Sequence, residues 1–136
     1  MSNVMTQQGD KIILDALTGG ASPGTLKCKL FKNNYTPVVT SLESDLTEAN
    51  FSGYSSTSPS LSWAAAFVNG DGKGEIDATA KTFTHNGGGT SNDVYGAYVT
   101  NSSDKLIWAE KFAAPIHMAA NGDQIIYTAK LTGVQE

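Results

Sequence analysis

Glu75 and Asp77 are separated by a single residue, and His85 follows in the same stretch of chain. Two carboxylates beside an imidazole are the minimum equipment of a small acid–base hydrolase, provided their surroundings drive the carboxyl pKa values apart. Side chains at i and i+2 of a strand also share a face simply because a strand has a period of two. Such pairs are common on solvated sheets, so the pattern does not by itself specify catalysis. A nucleophile is missing too. The serines fall in loops, no Gly-x-Ser-x-Gly turn occurs, and Cys28 has no histidine or amide partner at a recognisable spacing. These residues predict a chain that is not an enzyme and has no catalytic residues.

Metal and phosphate chemistry fail on similar grounds. The segment Asn69-Gly70-Asp71-Gly72-Lys73-Gly74 resembles the start of an acidic calcium loop. That loop needs oxygen ligands at its first, third and fifth positions, glycine at the sixth and glutamate at the twelfth. Asn69, Asp71 and Gly74 comply, but Lys73 puts an ammonium at the fifth position and Ala80 stands at the twelfth. A plain hairpin turn accounts for the segment better. Gly87-Gly88-Gly89 could cradle a phosphate only ahead of a helix with a lysine in reach, and a strand follows instead. His85 and His117 are the only histidines, and Cys28 is remote from both. Neither a metal site nor a cofactor is expected.

Composition narrows the partners. The chain has 136 residues, a net charge of −4 and only 16% charged residues, against about 25% in an average soluble domain. All its basic residues are lysines, and without arginine or a basic run no nucleic-acid partner is expected. No apolar stretch reaches the roughly 20 residues of a membrane helix, so no membrane partner is expected either. Met1-Ser2-Asn3-Val4-Met5 lacks the basic and apolar regions of a secretory signal, and a lone cysteine suits a reducing cytoplasm.

The elements that would position any site are mostly strands. One helix is expected between Gly9 and Gly20, with Asp10 as its cap, Ile13, Leu14 and Leu17 on one face, and Gly19 as its stop. From Leu26 the period drops to two, and Leu26, Cys28 and Leu30 should point inward while Lys27 and Lys29 point out. Residues 44–50 could hold one helical turn. Further strands are expected over 61–68, 75–85, 94–100, 105–112 and 124–132, separated by turns at 69–74, 101–104 and 121–123 and by a glycine-rich loop over 86–93. The expected fold is all-β: a single antiparallel sandwich or barrel-like, jelly-roll-like domain over 25–136, preceded by a helix-bearing arm over 1–24. Most of Trp63, Phe67, Tyr95, Tyr98, Trp108 and Phe112 should form its core.

The set Leu30-Phe31-Lys32-Asn33-Asn34-Tyr35-Thr36-Pro37, Phe51-Ser52-Gly53-Tyr54, Tyr95-Gly96-Ala97-Tyr98-Val99-Thr100, Leu106-Ile107-Trp108-Ala109-Glu110-Lys111-Phe112 and Gly122-Asp123 resembles small β-rich virion proteins of tailed bacteriophages, most closely capsid decoration (cement) proteins. The resemblance covers nearly all of the chain after residue 25. It implies a non-enzymatic viral structural protein, assembled in the host bacterial cytoplasm, that binds the major capsid protein as a homotrimer. Ile13, Leu14 and Leu17 are the candidate interface residues, because a helix this short must bury its apolar face against something. Deletion of residues 1–20 would then leave a folded β domain that associates poorly. The alternative is a tail, fibre or baseplate component that contacts a host-surface glycan, with Tyr54 or Trp63 as a stacking shelf.

Overall fold

The computed structural model describes residues 4–20, 22, 24–55, 61 and 65–132. Among these residues the chain forms β1 (Val4–Met5), α1 (Gln7–Leu17), β2 (Lys27–Phe31), β3 (Phe67–Val68), β4 (Gly74–Asp77), β5 (Lys81–Thr84), β6 (Asn92–Thr100), β7 (Leu106–Met118), β8 (Gln124–Tyr127) and β9 (Lys130–Thr132), with one 3₁₀ turn at Glu43–Asp45. All strand pairs are antiparallel, and the strands form sheets of order β1-β7-β6-β2, β3-β4-β9 and β5-β8. The fold is mostly β with one α-helix, as the period-two pattern predicts.

The largest sheet is covered on both faces. Cys28 and Leu30 of β2, Val99 of β6 and Trp108 of β7 enter the main core with Phe51, Phe83, Met118 and Ile125. Alternation sends Phe31, Tyr98 and Ala109 to the other face, where Leu46 and Leu106 complete a smaller cluster. Gly96 is required there, since a β-carbon on it would collide with the Phe31 ring and the Glu110 carbonyl. Lys27 and Lys29 lie on the face opposite Cys28 and Leu30, as expected, but that face is partly covered and the Lys29 side chain is only 12% exposed; both ammonium groups reach Asp104.

Two irregularities in the β6–β7 ladder shape the molecule. Val99 pairs with Trp108 but Thr100 with Leu106, so Ile107 is an extra residue and β7 kinks. Further along, Val94 pairs with Ile116 and Gly96 with Lys111, so Tyr95 alone spans Phe112, Ala113, Ala114 and Pro115. Pro115 has no N–H to give a ladder, which suits a bulge.

The helix begins at Gln7 and its cap is Thr6, whose hydroxyl accepts the Gly9 N–H at 2.9 Å; Asp10 sits in the first turn instead, where its charge favours the helix dipole. The segment 75–85 is not one strand. It divides into β4, paired with β3 and β9, and β5, paired with β8, so Glu75, Asp77 and His85 share no hairpin. β7 runs to Met118, beyond the expected end at Phe112, because the wide bulge lets pairing resume at Ile116. β8 leaves β7 after the turn at 119–123 and pairs with β5, and the chain from 124 on divides into β8 and β9. Of the strand expected over 61–68, residues 62–64 lie outside the described residues, and β3 covers only its end.

Other details agree with the pattern. Gly19 has a φ of 79°, and the Gly20 N–H reaches the Asp15 carbonyl at 2.8 Å, the six-to-one bond of a Schellman stop. Ile125, Tyr127 and Ala129 are buried while Ile126, Thr128 and Lys130 are exposed. Tyr98 and Trp108 are buried, and Tyr95 and Phe112 are half-buried. Phe67 is exposed, against expectation, because β3 is an edge strand of the smaller sheet. Trp63 lies outside the described residues.

Candidate functional site

α1 is clamped to the sheet at its N-terminus. The Ile107 bulge turns its carbonyl toward Thr6, which meets it with its backbone N–H at 3.0 Å and its hydroxyl at 3.0 Å. The same hydroxyl lies 2.9 Å from the Leu106 carbonyl while it accepts the Gly9 N–H. β1 pairs with Trp108 and Ala109 just before this point, and Gly9 allows the helix to lie directly on the β7 backbone. The Gln7 N–H is taken by the Val39 carbonyl at 2.8 Å. The helix therefore presents its outer face in a fixed direction.

That outer face carries apolar side chains. Ile12 and Ile13 turn toward the core, but Leu14 is 59% exposed and Leu17 is 79% exposed. Of the candidate interface residues, Ile13 thus packs inward while Leu14 and Leu17 stand in solvent. Val38, Val39 and Leu42, in the segment against the start of α1, are exposed as well. Beneath α1 lies a partly open apolar pocket of about 210 Å³, lined among the described residues by Ile12, Ile13, Leu26, Ile76, Ile107, Trp108 and Leu131.

The residues with chemical potential are occupied otherwise. Glu75 accepts the Asn69 side-chain amide at 3.0 Å and lies 3.6 Å from the Lys130 ammonium. The Asn69 bond holds its carboxyl below the usual range, against the effect of burial. Burial first, then a hydrogen bond with Glu75 and its charge, holds the Asp77 carboxyl above the usual range. Burial also pushes the Cys28 thiol up to about 12, which makes it an inert core residue.

His85 is fully buried with both ring nitrogens engaged. Nδ1 accepts the Gly87 N–H at 2.9 Å, so the proton resides on Nε2, which donates to the Thr90 carbonyl at 3.0 Å. Its ring stacks on Phe51, and its backbone bonds Asp123 and Gly122. His85 therefore ties three loops together and folds the glycine run 87–89 around its own imidazole. Sequence reasoning missed this role, although a histidine two residues before a glycine turn is its visible signal. His117 lies on β7 with Nδ1 at 2.6 Å from Asp93, its partner across the ladder.

The turn at 69–74 is a hairpin, in which the Asn69 side-chain oxygen Oδ1 accepts the Asp71 and Lys73 N–H groups. Among the described residues no group of three metal-ligating side chains converges. Tyr54 does not form a shelf: its ring stacks on Phe83 and its hydroxyl bonds Glu48 at 2.8 Å. No helix among the described residues is long and apolar enough to cross a membrane. Comparison with protein-family models, curated proteins and solved structures finds no match to this chain.

Proposed function

We propose that this chain is a non-enzymatic structural protein of a tailed-bacteriophage virion, one that decorates the capsid and stabilises it by binding the lattice of the major capsid protein. Leu14 and Leu17 carry this reading. They form a wet apolar ridge on a helix that is already locked to a β body by Thr6 and Gly9. A ridge held this way binds without the entropic cost of ordering a free arm. An uncommitted apolar surface on a protein with so few charges is suited to close packing against neighbours.

In this reading the sheets form an antiparallel, jelly-roll-like sandwich, the protein acts as a homotrimer, and its place is the virion, reached after synthesis in the host bacterial cytoplasm. No cofactor takes part. The test is the double variant Leu14→Glu, Leu17→Glu. Both side chains are exposed, so the thermal midpoint should stay within a degree or two of the parent, as for ordinary surface changes. Trimerisation and occupancy on purified particles should both fall. Unchanged occupancy would remove the ridge from the account.

A further inference from the structure

Protein interiors are packed like organic crystals, and voids larger than a water molecule are few. Between α1 and the sheets beneath it this packing stops short, and a partly open pocket leaves about 210 Å³ of space. Its walls come from separate parts of the fold: Ile12 and Ile13 from α1, Leu26 just before β2, Ile107 and Trp108 from β7, and the cross-strand pair Ile76 and Leu131 from β4 and β9. Each of these side chains is aliphatic or aromatic. A buried water needs two to four polar partners, and such walls do not supply them.

We propose that this cavity is a binding site for a small uncharged apolar molecule, of the size of one methyl-substituted ring. An apolar cavity of about 150 Å³ is sufficient for benzene, so the space here admits a ring with a substituent. Ile107 and Trp108 are 2% and 1% exposed and form its closed end. Ile12, Ile13, Ile76 and Leu131 are only half-buried and form its mouth, so a ligand enters without disrupting the core. Among the described residues no charged side chain or hydroxyl lines the space, so an apolar ring is favoured over one whose hydroxyl must give up water. This site is independent of the outer ridge, and it can exist whether or not the chain decorates a capsid.

The test is methyl-resolved NMR of the full chain with labelled isoleucine and leucine, titrated with toluene and, separately, with phenol. Saturable shifts should appear at Ile12, Ile13, Leu26, Ile76, Ile107 and Leu131, and the thermal midpoint should rise with toluene concentration. Phenol should bind about tenfold more weakly, reflecting one unpaired buried hydroxyl. Ile76→Phe should fill the space with its own ring and abolish the toluene shifts in a protein whose spectrum remains dispersed. Ile13→Phe serves the same purpose if Ile76→Phe does not fold. Non-saturable shifts, shifts confined to other methyls, or toluene binding retained in a folded filled variant would overturn the proposal. So would shifts of these same methyls with protein concentration alone, which would mean that a side chain of a second copy occupies the space.

Discussion

Gly9 lies so close to the carbonyl of Ile107 that a β-carbon on it would overlap that oxygen. The contact joins the two features that define this fold, a helix on a sheet and a bulge in the strand beneath it. The extra residue in β7 aims the Ile107 carbonyl at Thr6, and the missing side chain of Gly9 lets the first turn of α1 settle on it.

Glycine within a helix normally costs up to about 1 kcal/mol relative to alanine, so Gly9→Ala would be expected to stabilise an exposed helix. Here the sign should reverse. The methyl group meets backbone, which cannot rotate away, and overpacking of this kind costs about 1–3 kcal/mol. Chemical denaturation of the variant checks this, and a midpoint equal to or above that of the parent would show that α1 does not sit on β7 as described.

Trp108 is 1% exposed and paired on both sides, with Val99 of β6 and Met5 of β1. Trp108→Ala should cost about 3–5 kcal/mol, read as a lower denaturant midpoint. An unchanged midpoint would place the indole in solvent.

The alternation from 124 onward was legible because β8 buries one face, that of β2 because its lysines alternate with Cys28 and Leu30, and the Gly19 stop because a left-handed residue leaves a clear mark. The division of 75–85 was not. Glu75 and His85 are both buried, and no period-two pattern indicates that the residues between them change sheets. The Ile107 bulge was equally hidden, since an extra residue in a strand alters its partners and not its composition. For the candidate interface, the sequence indicated the helix but not its rotation. Only the register of Thr6 and Gly9 on Ile107 turns Ile13 inward and leaves Leu14 and Leu17 outside.

Glu75 and Asp77 should pull the pH dependence of stability in opposite directions. Asp77 keeps its proton to higher pH in the folded chain than in the unfolded one, so its contribution is present in acid and lost as pH rises through the folded value. Glu75 is shifted the other way, and its contribution is lost as pH falls. Asp77→Asn should therefore raise the thermal midpoint at neutral pH, with the gain shrinking below about pH 4. Glu75→Gln should lower it at neutral pH, with the loss fading over the same acid range. Thermal midpoints between pH 3 and 8 decide the matter. A neutral-pH loss in Asp77→Asn would contradict the assignment.

Where this protein acts can be seen by cryo-electron microscopy of purified virions that contain it. Density for the chain should lie on the outer surface of the head, repeated with the capsid lattice, with the Leu14 and Leu17 face of α1 buried against a neighbour. Density at the tail or baseplate, or a head-bound chain whose α1 ridge faces solvent, would contradict that placement.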